Sequence, residues 1–213
     1  MKIAVIGALG RTGQAVIKEA QRREHTVLAI AHRQHDDVDL GQVQLLIKDI
    51  RDLSQADLVG VDAVVDAISA WTPATFPVHA AGISWMAHLL TGTQTRYLKV
   101  GGAGTLFINA EHTQMLKDRA DYPSEWLPRA TALADSLTRL RSYSGLRWTY
   151  VTPALNYDAA GECTGDYQVG GEEFHAATDA DHYISYADYA VGMLDIIEQG
   201  TYIRQRIVLT HGR

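Results

Sequence analysis

The sequence predicts an α/β protein built on a doubly wound parallel sheet. Short runs rich in valine and isoleucine alternate with longer segments of helical period over about the first 150 of the 213 residues. These runs lack a strict alternation of apolar and polar residues, which is typical of parallel strands covered on both faces. Three glycines directly follow the first run. Together these features indicate helices on both faces of one sheet.

The strands are predicted from the apolar runs, each bounded by polar or turn-forming residues. Valine and isoleucine favour extended backbone because their branched side chains pack well on a pleated surface. The last run is expected to join the edge of the sheet. In chain order, the predicted strands are Ile3–Ile6, Thr26–Ala31, Gln44–Ile47, Asp62–Ala67, Arg96–Val100, Trp148–Thr152 and Ile207–Thr210.

Helices are predicted where apolar residues recur every three or four positions, so that they form one stripe against the sheet. Ser185, with Asp188 three residues later, resembles a capping box and marks the start of the last helix. The three predicted stripes are Gly13, Val16, Ile17 and Ala20; Ala130, Leu133, Ala134, Leu137 and Leu140; and Ala187, Val191, Leu194 and Ile197.

The periodicity fades between Pro153 and Ser185, where glycine, aspartate and threonine accumulate. A chain of this length suits one mid-sized domain rather than two. The sequence therefore predicts a single domain over residues 1–213, in which residues 153–185 form a small loop-rich substrate lobe.

The composition excludes several classes of function. The net charge of −6 argues against a nucleic-acid partner, and no apolar run is long enough to span a membrane. Met1 leads directly into the first strand without a signal peptide, so a cytoplasmic protein is expected. Cys163 is the only cysteine, which precludes an intrachain disulfide, and the nine histidines lack metal-ligand spacing, so no metal site is expected.

The segment AVIGALGRTGQ, residues 4–14, combines a strand end with glycines at 7, 10 and 13. Three glycines at this spacing also occur in ordinary turns. Here, however, they follow the first strand, open an amphipathic helix, and precede a second strand by about 20 residues, the context of a dinucleotide-binding loop. Unpaired N–H groups at such a helix start hold a pyrophosphate. The sequence therefore predicts dinucleotide binding on a Rossmann-like sheet.

The residues after the second strand favour NADP(H) over NAD(H). An NAD enzyme usually places an acidic residue at this strand end to bind the ribose hydroxyls. This chain has His32 and Arg33 there, with acids only at positions 36 and 37. A guanidinium can pair with a 2′-phosphate through two hydrogen bonds, although a solvated loop arginine remains the alternative.

The chain resembles the atypical short-chain dehydrogenase/reductases of the NADH-flavin reductase-like group, which are related to the B type of flavin and biliverdin reductase. The resemblance covers nearly the whole chain. It is carried by KIAVIGALGRTGQAV at 2–16, YLKVGGAGTLF at 97–107, LRWTYVTPALNY at 146–157 and ISYADYAVGMLDIIE at 184–198.

The resemblance implies a set of cofactor-binding residues, arranged along the dinucleotide. Departure from the family pattern in NYDAAGECTG, residues 156–165, leaves the substrate contacts there open. The implied contacts are Gly7, Gly10, Arg11, Thr12 and Gly13 to the pyrophosphate; Arg33 to the 2′-phosphate; Asp49 and Ile50 to the adenine; Ala67, Ile68 and Ser69 to the ribose; and Gly101, Gly102, Ala103, Pro153, Ala154 and Leu155 to the nicotinamide.

The proton relay of ordinary short-chain dehydrogenases is absent from the sequence. No lysine has a tyrosine four residues before it, and Gly101-Gly102-Ala103 occupies the strand end where serine is expected. Ketone reduction normally needs a positioned acid, whereas a flavin or quinone takes hydride at one atom and a solvent proton at another. The predicted function is an NADP(H)-dependent reductase of such a conjugated small-molecule acceptor, with no catalytic residue assigned.

Four aromatic residues are candidates for stacking on the acceptor ring: Trp71, Phe107, Trp126 and Tyr157. Core or lid packing is the favoured interpretation of each. Two other functions remain open. One is a redox sensor that binds the dinucleotide without turnover; the other is an epimerase, although that chemistry usually retains the missing tyrosine and lysine.

Overall fold

An eight-stranded sheet forms the centre of the computed structural model, which describes residues 1–35 and 37–212. The strands are β1 (Lys2–Ile6), β2 (Thr26–Ala31), β3 (Gln44–Ile47), β4 (Ala63–Asp66), β5 (Arg96–Val100), β6 (Trp148–Pro153), β7 (Asn156–Asp158), β8 (Tyr167–Gly170), β9 (Tyr183–Ser185) and β10 (Gln205–His211). Their order in the main sheet is β3-β2-β1-β4-β5-β6-β10-β8, and only β8 runs antiparallel to its neighbour.

Four long helices cover the two faces of the sheet. They are α1 (Arg11–Arg22), α2 (Pro77–Leu90), α3 (Leu127–Arg141) and α4 (Tyr186–Gln199). α1 packs beside α4 on one face, and α2 packs beside α3 on the other. Each pair buries its own apolar core against the valine, leucine and isoleucine side chains of the strands. The prediction of a doubly wound sheet is therefore confirmed.

The connectivity locates the binding edge. The chain moves outward from β1 to β2 and β3, then returns to place β4 on the other side of β1. Ligands of open α/β sheets bind outside the carboxyl ends of the strands at such a point of reversal. The glycines after β1 lie there, and the ends of β4, β5 and β6 continue the same edge.

The predicted place of the last strand is wrong. β10 lies between β6 and β8, because β8 adds to its free side in antiparallel register, with Leu209 opposite Val169. The segment 153–185 therefore contributes an edge strand to the main sheet. It also forms a separate two-stranded parallel sheet from β7 and β9.

The predicted stripe on the last helix is displaced from the most buried face. Leu194 and Ile197 are buried as expected, but Ala187 and Val191 are only half-buried, whereas Tyr189 and Met193 are fully buried. The displacement arises because α4 packs on α1 as well as on the sheet. No helix of the described residues is long and apolar enough to cross a membrane.

Candidate functional site

The glycine loop between β1 and α1 approaches the backbone of its neighbours closely. Gly7 adopts a φ of +77°, and a Cβ atom there would lie 2.9 Å from the carbonyl carbon of Ala67. A Cβ on Gly13 would lie 2.4 Å from the Gly7 carbonyl oxygen. Glycine is therefore required at both positions, at the first by backbone conformation and at the second by the packing of the helix on the loop.

Gly10 is the residue immediately before α1, and no side chain caps the helix start. The first N–H groups of a helix lack partners within the helix, and they carry its partial positive charge. Because Gly10, Arg11 and Thr12 border an open cavity, these donors are available to an anion.

A cavity of about 690 Å³ extends from this loop along the carboxyl edge of the sheet. Its volume is in the range of small-molecule and cofactor sites. Most residues implied by the family resemblance line it, together with three of the four candidate aromatic residues: Gly7, Gly10, Arg11, Thr12, His32, Arg33, Ala67, Ile68, Ser69, Trp71, Gly101, Gly102, Ala103, Trp126, Pro153, Ala154, Leu155 and Tyr157.

Four of the expected site residues do not border this cavity: Gly13, Asp49, Ile50 and Phe107. Gly13 packs against the glycine loop, as described above. The Asp49 carboxylate accepts hydrogen bonds from Arg51, and Ile50 is buried beneath α2, where it occupies the space beside Gly82. Phe107 stacks on the His112 ring at 4.5 Å, outside the cavity.

Arg33 is exposed at one end of the cavity, and its Nε donates a hydrogen bond to the His35 ring at 3.0 Å. His32 beside it is also exposed, and both border the cavity. Asp36, the first acid of the sequence argument, lies outside the described residues.

The segment 153–185 meets the glycine loop through Tyr157. Its hydroxyl lies 3.2 Å from Thr12 Oγ1, and its ring lies 3.7 Å from the Tyr186 ring. Burial raises the pKa of the Tyr157 hydroxyl, so the group remains protonated at neutral pH. Tyr157 thus links the start of β7 to the start of α1 and closes one side of the cavity.

A buried ion pair supports the wall after β4. Lys99 Nζ lies 3.0 Å from Asp66 Oδ1, and the Tyr97 hydroxyl donates to Asp66 Oδ2 at 2.6 Å. Asp66 also accepts the Ile68 backbone N–H, while Lys99 Nζ lies 3.5 Å from the Ile68 carbonyl oxygen. The pair therefore fixes both backbone polar groups of Ile68, whose neighbours line the cavity.

Sequence reasoning missed two polar side chains of the cavity wall, His79 and Arg129. His79 is 2% exposed, and neither ring nitrogen has a hydrogen-bond partner among the described residues. Burial, reinforced by the charge of Lys99, lowers the pKa of the imidazole to about 3. The ring is therefore neutral, with one donor and one acceptor nitrogen.

Arg129 is the third residue of α3, and its guanidinium lies 4.1 Å from the centre of the Trp71 ring. Its Nη2 donates to Ser69 Oγ at 3.3 Å. Trp71 and Trp126 remain 63% and 51% exposed at the cavity mouth. In the sequence, the only feature that could have indicated His79 or Arg129 is that each lies near the start of a helix that follows a strand.

The histidines of the described chain do not form a metal centre. No group of three or more histidine, cysteine or acidic side chains among residues 1–35 and 37–212 is placed to hold a metal ion. His112 instead contacts Glu173, with 2.6 Å between Nε2 and Oε1.

Comparisons with known proteins agree with the geometry. A family model described as NAD(P)H-binding matches residues 7–200. The uncharacterised protein YwnB of Bacillus subtilis (strain 168) is 38% identical over 210 residues, which cover 98% of each chain.

Two solved structures are similar over nearly their whole length. A protein from Streptococcus pneumoniae TIGR4, provisionally named an NADH-flavin reductase, shares 43% identity with a TM-score of 0.92, and the match covers 99% of each chain. A protein from Lactobacillus casei shares 30% identity with a TM-score of 0.89 over the full length of both chains.

Proposed function

This chain belongs to the NAD(P)H-binding family, and from that premise we propose that it is an NADP(H)-dependent reductase of a flavin, a quinone or a similar conjugated acceptor. One observation carries the proposal. A single cavity joins the glycine loop, the arginine after β2, and the ends of β4, β5 and β6. Along NADP(H), the 2′-phosphate would lie at the arginine, the pyrophosphate at the glycine loop and the nicotinamide at the ends of the later strands.

The glycine loop fits the pyrophosphate. Gly10, immediately before α1, carries no Cβ, so a phosphate oxygen can approach the first N–H groups of the helix past it. Arg11 and Thr12 border the same space and add polar hydrogens. The chain therefore binds phosphate mainly through its backbone, as dinucleotide-binding sheets do.

The end of β2 fits a 2′-phosphate better than a free ribose hydroxyl. The exposed Arg33 offers two N–H groups in a planar fork, which matches a phosphate, and the imidazole of His32 adds a further nitrogen donor. No acidic side chain of the described residues lines the cavity at this end. These groups favour NADP(H).

The loops after β5 and β6 fit the nicotinamide end. A Cβ on Gly101 would lie 2.2 Å from Tyr150 Cε1, so only glycine permits this backbone path beside the cavity. Pro153, Ala154 and Leu155 form the facing wall. When bound between them, a reduced nicotinamide supplies a hydride. The protein then has to hold the acceptor ring about 3–3.5 Å away, and such positioning alone lowers a barrier by several kcal/mol.

The cavity side chains support hydride transfer without a proton relay from the protein. No lysine of the described residues lines the cavity, and Lys99 is held by Asp66 beneath the wall. The raised pKa of Tyr157 and the lowered pKa of His79 leave neither group ready to exchange a proton near neutral pH. We expect the acceptor to take its proton from solvent.

Anaerobic oxidation of NADPH, followed at the nicotinamide absorbance with FMN, FAD, a quinone and biliverdin in turn, tests the proposal. Turnover with any of them is the expected result. Tight NADPH binding without turnover would contradict it and favour a redox sensor.

The absence of a relay is tested by replacing each cavity tyrosine, Tyr122, Tyr157 and Tyr186, with phenylalanine. Tyr143→Phe is the matched control, because Tyr143 lies at the opposite edge of the sheet, after α3 and before β6. We expect kcat to stay within a few-fold of the wild-type value for all four. A loss of about a hundredfold in one cavity variant, the contribution of one acid-base group, would identify a relay.

A further inference from the structure

The first turns of α2 and α3 meet at one wall of the cavity and carry the two unassigned polar side chains. His79 is the third residue of α2, and Arg129 is the third residue of α3. The two helices pack side by side, and both residues line the cavity. Two helix N-termini therefore present their partial positive charge to the same space.

Arg129 is a cation without a counter-ion. No carboxylate of residues 1–35 and 37–212 forms an ion pair with it, and its Nε is buried with no hydrogen-bond partner. Stacking on Trp71 and the hydrogen bond to Ser69 hold the guanidinium in one orientation. A cation fixed in this way loses little freedom when it binds an anion.

His79 is a buried polar group with no partner. A buried imidazole without hydrogen bonds costs the folded protein free energy, so its nitrogens require explanation. The ring borders the cavity, and the charge of Arg129 contributes to its lowered pKa, so the two groups act on the same region. A neutral imidazole there offers an N–H donor to an oxygen atom of a ligand.

The aromatic side chains around Arg129 indicate what kind of molecule carries the anionic group. Trp71 and Trp126 are exposed at the mouth, and the Tyr122 ring lies 6.4 Å from Trp126 in an edge-on arrangement. Aromatic side chains around a cation suit a flat conjugated molecule that carries an acidic substituent.

We propose that His79 and Arg129, the latter oriented by its hydrogen bond to Ser69, form a subsite for a phosphate or carboxylate group of the electron acceptor. This inference rests on the proposed reductase function and narrows the acceptor to anionic conjugated molecules. The Arg129 guanidinium binds the acidic oxygens, the His79 N–H donates to one of them, and the two helix starts add their partial charge.

Two matched pairs of probes test the subsite by equilibrium binding. FMN and riboflavin share one ring and differ by a phosphate; anthraquinone-2-carboxylate and anthraquinone-2-carboxamide differ by a charge. Titrations are made with and without saturating NADP+. We expect the anionic member of at least one pair to bind the wild type about 10-fold or more tightly than its neutral partner, the effect of a charge-assisted hydrogen bond.

Arg129→Met is expected to remove that preference by weakening the binding of the anionic probe about 10- to 100-fold. The affinities for the neutral probe and for NADP+ should not change. Arg129→Lys should retain part of the preference, and His79→Asn should retain more of it than His79→Leu. Arg139→Met is the control, because Arg139 contacts Ser84 on the outer side of the helix pair and does not line the cavity.

Three outcomes would overturn the inference: no charge preference in either pair, a preference that survives Arg129→Met in folded protein, or NADP+ binding weakened as much as anion binding. The last result would assign Arg129 to the dinucleotide. A wild-type protein that binds NADP+ and oxidises NADPH but shows no charge preference would contradict the subsite alone. Failure to bind NADP+ in any titration would contradict the proposed function instead.

Discussion

At the residue scale, the proposed preference for NADP(H) rests on Arg33. We expect Arg33→Ala to weaken NADPH binding by about 10- to 100-fold, because a charge-assisted pair with the 2′-phosphate is lost. NADH, which lacks that phosphate, should bind as before. Calorimetric titration with both cofactors measures the ratio. Arg204→Ala is the control, since Arg204 donates to the Ser144 carbonyl oxygen and does not line the cavity. An unchanged NADPH-to-NADH affinity ratio in Arg33→Ala would contradict the assignment.

The buried pair of Lys99 and Asp66 allows a prediction about stability. Lys99→Met leaves the Asp66 carboxylate buried without its cation, which should lower the free energy of unfolding by about 3–5 kcal/mol. Urea denaturation measures the loss. The double variant Lys99→Met with Asp66→Asn should recover part of it, because no uncompensated charge remains. A single variant as stable as the wild type would show that the pair does not hold this wall.

The residues that could be predicted from the sequence are those whose signal is local. The glycine spacing and Arg33 lie within short motifs, and their neighbours along the chain supply the context. His79 and Arg129 lie 50 positions apart and meet only because α2 packs on α3. Ile50 is the opposite case. The resemblance implied that it contacts the adenine, but its side chain is buried beneath α2 and does not line the cavity.

At the element scale, Asp188 connects the loop at Thr164 and Gly165 to α4. Its amide N–H donates to Ser185 Oγ at 2.9 Å, which is one half of the predicted capping box. Its carboxylate does not complete the box. It accepts instead from Thr164 N–H, Thr164 Oγ1 and Gly165 N–H at 2.7–2.8 Å. The residue predicted to cap α4 with its carboxylate therefore uses that carboxylate to hold the loop before β8.

Asp188→Ala removes the acceptor of three donors at a buried position, and we expect it to lower the free energy of unfolding by about 2–4 kcal/mol. Limited proteolysis should also cleave the chain near Thr164 earlier than in the wild type. Asp181→Ala is the matched control, because Asp181 caps Thr178 in the same way but is exposed, so its loss should cost about 1 kcal/mol or less. Equal effects of the two substitutions would contradict the anchoring role.

Strands could be predicted better than helices. The apolar runs coincide closely with β1 to β6. For all of these except the largely exposed β3, the reason is that buried parallel strands require apolar side chains on both faces. α2 was not predicted, because apolar and small residues cover most of its circumference and do not form a separate apolar stripe. The place of β10 depended on β8, a strand with no fully buried residue and therefore little apolar signal.

At the scale of the whole molecule, two buried histidines make stability depend on pH. Burial lowers the pKa of His182 to about 4 and that of His79 to about 3, from a usual value of 6.5. The unfolded chain therefore binds more protons than the folded one below pH 6.5. Stability should fall as pH decreases from about 6.5 to 4, by up to about 1.4 kcal/mol per pH unit for each histidine.

Urea denaturation at a series of pH values between 7 and 4.5 measures this dependence. His182→Gln should reduce the slope, because the amide oxygen can still accept the Leu155 N–H that His182 Nδ1 accepts now. His88→Gln is the control, since His88 is exposed on α2 beside Trp85, and it should change the slope less than His182→Gln does. A slope that His182→Gln does not alter would show that His182 is already protonated in the folded protein.

The central claim is that the cavity along the carboxyl edge binds a nicotinamide dinucleotide by its phosphates at Gly10. Calorimetric titration of NADPH into the wild type and Gly10→Val tests it most directly, with thermal unfolding to confirm that the variant folds. The account predicts one binding site per chain in the wild type and no detectable binding in folded Gly10→Val, because the valine side chain fills the phosphate position. Binding of NADPH to folded Gly10→Val with wild-type affinity would contradict it.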